Sequence, residues 1–377
     1  MFYIMLPILA ISIAVYCRFY IMRACKTFGL GTGKYRVFTD VAVAVVSGGI
    51  ATLCMFVMTV ALFVAHVMAF SLLVGAVNRL MKNIGGDKYK RGFFTWKTIY
   101  GFGIIPVVLA TSVMLGGYIN MNTVTSTNVT IGTQKDIRQS GYRVALIADV
   151  HYGVSIDKAE LARICAEISA ASPSIVVLCG DIVDENTSKQ GMADVFGALG
   201  GINSEFGVFY VFGNHDRQLY AWDDRKFTEK ELVQTIESSG ITLLSDETFS
   251  INDEFTVVGR EDAAYEGESV RAPIAELVKD VDTTDFILML DHQPRQYKEN
   301  GEAGVDLLLS GHTHGGQIFP ANLMFDLFGI NEAVYGYTKI NETTQAFVTS
   351  GFAGWGFPVK TCAPAEYVLI DILPKAA

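Results

Sequence analysis

The sequence predicts a layered α/β domain that follows an N-terminal membrane region. Half of the 377 residues are hydrophobic and only 18% are charged, against about 25% in an ordinary soluble domain. Short apolar runs that alternate with helix-like stretches are confined to the part after residue 120. The charges divide in the same way: the first 119 residues contain 11 basic and two acidic residues, which leaves 18 basic and 37 acidic residues for the rest. Such an asymmetry between two parts of a chain is typical of a membrane protein.

Residues 1–119 are predicted to be a transmembrane region. The first apolar block lacks the basic start and the cleavage site of a secretory signal peptide, so we expect it to be retained. Residues 41–77 run for 37 positions without a formal charge. As one helix they would be about 55 Å long, nearly twice the hydrocarbon core of a bilayer, which favours two spans. The four expected helices lie at about 2–22, 38–57, 60–80 and 98–119.

Two basic clusters set the expected orientation. One follows the first span, and the other, which includes Lys88, Lys90 and Arg91, follows the long uncharged block. The positive-inside rule places both on the cytoplasmic side, and only four spans satisfy it. Three spans stay an alternative because no polar loop interrupts residues 41–77. With four spans the protein is an integral plasma-membrane protein, and everything after residue 120 is extracytoplasmic.

Residues 120–139 are expected to form a linker and a leading strand, and residues 140–377 a soluble domain. Its acidic balance disfavours stable binding of nucleic acid. Helical spacing of apolar residues predicts helices over 157–170, 189–200 and 227–239. Eight β-branched or aromatic runs predict strands over 143–148, 175–179, 207–212, 255–259, 286–290, 305–309, 346–349 and 366–371. This order is typical of two packed sheets flanked by helices.

Polar side chains follow five of the predicted strands, at the point where each strand ends. Five of the six histidines of the chain lie there. Because ligand sites of α/β sheets lie at the carboxyl ends of the strands, we expect these side chains to converge. Glycines 180, 213 and 311 are expected to permit the turns. The segments are Asp149-Val-His151, Gly180-Asp181-Ile-Val-Asp184, Gly213-Asn214-His215-Asp216, Asp291-His292 and Gly311-His312-Thr-His314.

Aspartate, histidine and asparagine without a thiolate are donors that suit catalytic manganese, iron or zinc rather than a structural zinc cage. The motifs DxH, GDxxD, GNHD, a single histidine and GHxH, in this order, resemble those of the calcineurin-like metallophosphoesterase superfamily. The extended GHTHGGQ resembles the membrane-associated branch of that superfamily. The resemblance covers about residues 140–374. It implies a four-layer αββα sandwich and a metal-dependent phosphoric ester hydrolase.

The resemblance also implies a site for two divalent cations (Mn, Fe or Zn) and a role for each polar residue. Asp181 would bridge the cations, and a hydroxide between them would attack phosphorus in line. His215 would protonate the leaving group, Asp216 would hold the tautomer of His215, and Asp184 would orient a ligand. The implied ligands are Asp149, His151 and His314 on one cation and Asn214, His292 and His312 on the other, with Asp181 on both.

The surroundings of the motifs bear on the substrate. Apolar residues over 319–328 and 352–357 either form an exposed patch for a membrane interface or an acyl chain, or pack as an ordinary loop core. Lys360 either contacts a phosphate or headgroup or is a solvated surface lysine. Together with the lipid bilayer as anchor, the patch favours a phosphomonoester or phosphodiester of a lipid-linked or cell-envelope substrate. The alternatives are an anchored ecto-nucleotidase for soluble substrates and a non-catalytic metal-binding membrane sensor.

Overall fold

A computed structural model describes residues 2–30, 32–85, 96–221, 224–265 and 271–374. The chain divides into two compact units, Met1–Gly116 and Gly117–Ala377. The first unit is helical. The helices are α1 (Phe2–Thr27), α2 (Arg36–Phe56), α3 (Met58–Gly85), α4 (Trp96–Phe102) and α5 (Ile104–Met121).

Three helical segments among the described residues are long and apolar enough to cross a membrane: Gly33–Phe56, Met58–Gly85 and Ile104–Met121. The uncharged block is interrupted at Val57, whose backbone is extended (φ −127°, ψ 98°). The stretch 98–119, expected as one helix, is interrupted at Gly103, where φ is +68°. Lys88, Lys90 and Arg91 lie outside the described residues, so the four-span topology and its orientation stay predictions.

The second unit contains two six-stranded sheets, and each of the eight predicted strands is present. Within the described residues, one strand in the segment 120–139, where a leading strand was expected, and three further strands complete the sheets. In the order of the chain the strands are β1 (Val124–Thr133), β2 (Tyr142–Ile147), β3 (Ile175–Cys179), β4 (Val208–Val211), β5 (Ile241–Leu243), β6 (Glu247–Asn252), β7 (Phe255–Gly259), β8 (Phe286–Leu290), β9 (Leu307–Ser310), β10 (Gly336–Lys339), β11 (Gln345–Val348) and β12 (Ala365–Pro374).

The strand orders are β1-β12-β2-β3-β4-β5 and β10-β11-β9-β8-β7-β6. Strands β2 to β5 run parallel, and so do β7, β8, β9 and β11. In the first sheet Val144 is opposite Ile175, and Val176 is opposite Val208. Because neighbouring strands are parallel, their carboxyl ends lie along one edge of each sheet.

Alternation along the strands builds a layered core. In β2, Val144 and Leu146 face the other sheet, whereas Ala145 and Ile147 pack against the helices on the outer side. A further cluster covers the outer face of the second sheet and includes residues of α9 and α10. The structure therefore confirms the αββα sandwich. Its helices are α6 (Lys158–Ala170), α7 (Lys189–Gly200), α8 (Glu229–Ser238), α9 (Ile274–Leu277), α10 (Tyr297–Glu302) and α11 (Ala321–Phe328).

Candidate metal centre

The strand ends turn sharply where the predicted ligands lie. A positive φ is uncommon for residues other than glycine, costs roughly 1–3 kcal/mol at sparsely populated conformations, and tends to occur at functional sites. Five of the seven predicted ligands have one, which shows that the backbone is bent to aim them. They are Asp149 (52°), His151 (41°), Asp181 (53°), His312 (72°) and His314 (49°).

Three glycines accompany these turns for two different reasons. Gly180 has a φ of +79°, as the expected turn requires. Gly213 and Gly311 do not have a positive φ, and their role is to leave space. A Cβ on Gly213 would lie 2.2 Å from Asp181 Oδ1, and a Cβ on Gly311 would lie 2.5 Å from Asp149 Oδ2. The positive φ of a turn glycine is therefore found at Gly180, whereas Gly213 and Gly311 allow a close approach of the neighbouring carboxylates.

The first ligand cluster comprises Asp149, His151 and His314, whose donor atoms lie within 4.8 Å of one another. His314 Nε2 is 3.7 Å from Asp149 Oδ1. The ring centroids of His151 and His314 are 5.2 Å apart. Asp149 and His151 are fully buried and His314 is nearly so. Three donors from two distant motifs thus converge at one point.

The second ligand cluster comprises Asp181, His292 and His312, again with donor atoms within 4.8 Å of one another. Asn214 joins it, because its Oδ1 lies 2.9 Å from His312 Nδ1. Asp181 Oδ2 is 3.1 Å from His292 Nε2 and 3.8 Å from His151 Nε2. A single carboxylate oxygen therefore lies beside imidazoles of both clusters, as a bridging ligand must.

The donor set fits two divalent cations. Neither ring nitrogen of His151 has a hydrogen-bond partner within the described part of the chain, although the residue is fully buried. Buried polar atoms nearly always have a partner, so this side chain calls for one that the protein alone does not supply. Imidazole, carboxylate and amide donors without thiolate match catalytic metal sites.

Burial sets the charge state of two of the ligand imidazoles, His312 and His314. It lowers the pKa of His312 to about 3 and holds the pKa of His314 well below its usual value. Both rings are therefore neutral near pH 7, which is the form that binds a metal ion. Burial alone would raise the pKa of Asp181, but attraction to His292, His215 and His151 outweighs it, and the pKa lies well below the usual value. Asp181 is thus ionised.

His215 lies beside both ligand clusters without joining either group of donors. Its Nδ1 is 2.9 Å from Glu185 Oε2, and its ring packs 4.7 Å from that of Trp355 and 5.4 Å from that of His151. Burial lowers the pKa of His215, but the hydrogen bond to Glu185 and attraction to Asp181 and Glu185 outweigh it, so the pKa is raised. Glu185 was not predicted, although it directly follows the GDxxD motif.

Asp216 does not contact the His215 ring, so the expectation that it holds the tautomer of His215 is wrong. Its carboxylate instead accepts hydrogen bonds from four backbone N–H groups. A carboxylate satisfies several donors at once where a turn leaves them unpaired. Asp216 therefore ties the turn that carries Asp181 to the turn that carries Asn214. The donors are the N–H groups of Gly213 (2.6 Å), Asp181 (2.8 Å), Ile182 (2.8 Å) and Val183 (3.1 Å).

Two of the ligand imidazoles have hydrogen-bond partners on Nδ1, and a carboxylate faces a third. Asp184 Oδ2 lies 3.5 Å from His151 Nδ1, which is an ion-pair distance without a hydrogen bond. The Cys179 carbonyl is 2.8 Å from His292 Nδ1, and the Ala353 carbonyl is 3.0 Å from His314 Nδ1. Such partners fix the ring orientation of a metal-binding histidine.

Lys360 is fully buried, so neither of its expected roles is correct. Its Nζ donates hydrogen bonds to the carbonyls of Ser350, Gly351 (3.1 Å) and Ala353 (3.3 Å). The Ala353 carbonyl is also the partner of His314. At the backbone of Lys360, the N–H donates to Gly117 and the carbonyl accepts from Asn120 Nδ2, both in the last turns of α5. Lys360 therefore holds the loop behind the first ligand cluster.

Part of the chain is similar in sequence to known proteins. Residues 142–316 match the family model of the calcineurin-like phosphoesterases. An uncharacterized metallophosphoesterase of Helicobacter pylori is 31% identical over 62% of this chain and 60% of its own length. A transmembrane protein with metallophosphoesterase domain from Danio rerio is 27% identical over 63% of this chain and 54% of its own length.

A third relative shows how far the similarity extends. An uncharacterized metallophosphoesterase of Aquifex aeolicus is 27% identical over 70% of this chain and 98% of its own length. The chain spans about 60% of the length of the first of these relatives. The part of the chain that matches the family model, residues 142–316, contains all the residues of the two ligand clusters at the strand ends of the αββα sandwich.

Proposed function

We propose that the chain is a membrane-anchored phosphoesterase that uses two divalent cations. The observation that carries the proposal is the meeting of the two ligand clusters at Asp181, whose Oδ2 lies 3.1 Å from His292 and 3.8 Å from His151. Two-metal hydrolases hold their ions roughly 3.5–4 Å apart, a separation that a shared carboxylate supports. Asp149, His151 and His314 would hold one cation, and His292, His312 and Asn214 the other.

The residues around the clusters have separate tasks. When bound, the cations would neutralise the phosphoryl oxygens and lower the pKa of a water molecule. His215 holds a proton, because Glu185 accepts a hydrogen bond from its Nδ1 and raises its pKa. The other ring nitrogen, Nε2, is then the atom that delivers a proton to the leaving oxygen. Trp355 packs on the His215 ring and limits its movement.

 We further propose a lipid-linked or cell-envelope phosphoester as the substrate, whether a monoester or a diester. Helix α11 begins at Ala321, four positions after Gln317, the last residue of the motif GHTHGGQ. The helix therefore directly follows the motif that contains His312 and His314. Its side chains Leu323, Met324, Leu327 and Phe328 are all at least half exposed. An exposed apolar face of this kind is typical of a surface that contacts lipid. Phe352, by contrast, is fully buried and belongs to the core.

The anchor is the helical part of the chain. Three segments are apolar and long enough to cross a bilayer. With four spans, the positive-inside rule would place the phosphoesterase domain outside the plasma membrane. Protease digestion of intact cells, with lysed cells as the control, tests this orientation: an extracytoplasmic domain is cut in both, whereas a cytoplasmic domain is cut only after lysis.

The chemistry is tested with the full chain in detergent, freed of metal and reloaded with Mn²⁺, Fe²⁺ or Zn²⁺. We expect hydrolysis of 4-nitrophenyl phosphate or of bis(4-nitrophenyl) phosphate with at least one of these ions and none by the metal-free chain. Activity that is equal in wild type and Asp181→Asn would contradict the proposal. Faster hydrolysis of soluble nucleotides than of lipid phosphoesters would favour the ecto-nucleotidase, and metal binding without turnover would favour the sensor.

A further inference from the structure

A cavity of about 670 Å³ lies at the same edge of the second sheet as the ligand clusters. Three arginines line it, Arg260, Arg271 and Arg295, and we call it the arginine cavity. Arg260 directly follows β7, and its backbone N–H donates to the Leu290 carbonyl at the end of β8 (2.9 Å). The volume is in the range of pockets that bind small molecules.

The guanidinium groups in this cavity have unused donors. Arg260, only 2% exposed, lies with its Nε 3.2 Å from Asp246 Oδ1 and donates from Nη2 to the Ala272 carbonyl (2.8 Å). Arg271 donates from Nη2 to Asp291. Among the described residues, Arg260 Nη1 and both Nε and Nη1 of Arg271 have no partner. A buried donor without a partner is costly, so these atoms call for an acceptor.

The acidic groups that the described residues place at the cavity do not meet this need. Asp246 and Asp291 already pair with Arg260 and Arg271, and the unused donors remain. Glu332 accepts a hydrogen bond from the backbone N–H of Tyr297 (3.0 Å), and Glu299 is on the exposed surface of α10. Burial and repulsion by Arg271 lower the pKa of Arg260. An anion between the two guanidinium groups would relieve both effects.

The arginine cavity lies next to the second ligand cluster. Asp291, the partner of Arg271, immediately precedes the ligand His292. Arg295 follows His292 by three positions, is exposed, and is close enough for its charge to act on His312. Gly329 and Ile330, which follow the apolar helix α11, form part of the cavity wall. Residues of the cavity wall and a ligand of the second cluster therefore follow the same strand, β8.

We propose that the arginine cavity binds a second phosphate group of the substrate, apart from the phosphoester that is cleaved. Guanidinium groups bind phosphate oxygens through paired, charge-assisted hydrogen bonds, which a single-phosphate substrate leaves unused. The inference rests on the proposed function, since it assigns a substrate class to the same site. The phosphate belongs either to a lipid headgroup or to a soluble nucleotide, and both present the same chemistry.

Two substrate pairs that differ by one phosphate test the proposal. The lipid pair is phosphatidylglycerol and phosphatidylglycerol phosphate in detergent micelles. The soluble pair is the 4-nitrophenyl ester of thymidine 5′-phosphate with and without a 3′-phosphate. We expect the metal-loaded wild type to prefer the two-phosphate member of one pair by about tenfold in kcat/KM, the size of one charge-assisted hydrogen bond. The pair that shows the preference identifies the source.

Arg295→Gln is the main variant, because an exposed arginine is replaced without disturbing the core. It should abolish most of the preference, so that kcat/KM falls more for the two-phosphate member than for the one-phosphate member. Arg271→Lys keeps the charge beside Asp291 but loses the paired donors, so it should reduce the preference as well. Lys298→Gln, on exposed α10 and outside the cavity, is the matched control and should change neither member.

No preference in either pair, or an equal loss for both members in Arg295→Gln, would overturn the proposal. Failure of the proposed function looks different: no substrate is hydrolysed by the wild type with any cation. In that case calorimetry with inorganic pyrophosphate and the full chain decides. Binding that weakens about tenfold in Arg295→Gln and not in Lys298→Gln supports the arginine cavity, and equal binding by all three proteins refutes it.

Discussion

The two ligand clusters have similar donors but are held in place in different ways. In the first cluster, His151 faces the side chain of Asp184, and His314 bonds to a carbonyl on a loop that Lys360 holds. In the second cluster, His292 bonds to the carbonyl of Cys179 at the end of β3. The first cluster thus depends on side chains that bind no metal, whereas the second relies on the backbone of a central strand.

This difference has a consequence for mutation. A backbone carbonyl cannot be removed by substitution, so the partner of His292 is preserved in any variant that folds. Asp184 and Lys360 can be replaced, and their loss should affect the first cluster alone. Asp181 belongs to both clusters, so its replacement should affect metal binding at both of them.

The largest effect is expected for Asp181→Asn. An amide carries no negative charge, so it cannot bridge two cations as a carboxylate does. Metal ions contribute several kcal/mol to phosphoester hydrolysis. We expect a loss of about 1,000-fold or more in kcat/KM and fewer than two metal ions per chain. Aryl phosphoester hydrolysis and elemental analysis of the purified full chain measure the two quantities. Two bound ions with unchanged turnover would show that the clusters work independently.

The next largest effect is expected at His215, which belongs to neither cluster. His215→Ala should lose about 100-fold or more in kcat while it retains both ions, because proton transfer contributes about 100- to 10,000-fold. Loss of metal instead would make His215 a ligand.

Glu185→Gln provides a milder test of the same proton transfer. The group that protonates the leaving oxygen must carry a proton, so activity falls as the pH rises above its pKa. Glu185 raises the pKa of His215. Without this carboxylate the pKa of His215 is lower, and the alkaline fall in kcat should move to lower pH. An unshifted profile would exclude His215 as the proton donor.

The sequence predicts the ligands better than the groups that position them. Strand ends show where polar side chains emerge, and the motifs show which of them converge. The partner of His215 is different: Asp216 is adjacent in sequence, but its carboxylate is used by four backbone N–H groups, and Glu185 reaches the ring from another loop. Which of two nearby carboxylates contacts a ring depends on turn geometry, which spacing along the chain does not specify.

Lys360 and the short elements show the same limit. A lysine near a glycine-rich loop is expected to lie on the surface. Lys360 is buried because the carbonyls of Ser350, Gly351 and Ala353 accept hydrogen bonds from its Nζ, and the sequence does not show these contacts. Strands β5, β6 and β10 have three to six residues and at most one buried residue each, so their pairing partners define them. Two packed sheets flanked by helices were predictable because the core strands are runs of β-branched or aromatic residues, and the four-layer order came from the resemblance.

Asp184→Asn should separate the two clusters. Loss of the carboxylate beside His151 should weaken one of the two metal ions about 10- to 100-fold, the usual cost of losing an orienting partner. Titration with Mn²⁺ should then show one tight and one weak site. Cys179→Ala is the matched control, because it removes a thiol but keeps the carbonyl that bonds to His292. Two equally weakened sites in Asp184→Asn would contradict the independence of the clusters.

The smallest effect is expected for Lys360→Met. Loss of the buried Nζ leaves the Ser350, Gly351 and Ala353 carbonyls without their donor, which should cost about 1–3 kcal/mol of stability. Because Ala353 also accepts from His314, metal affinity at the first cluster should fall and that at the second should not.

Burial lowers the pKa of Lys360 to about 8. Above that pH the unfolded chain holds more protons than the folded one, so this group makes stability rise with pH. Thermal unfolding between pH 7 and pH 10 should show that rise in the wild type and a flatter profile in Lys360→Met, and equal profiles would mean that the buried lysine carries no such penalty.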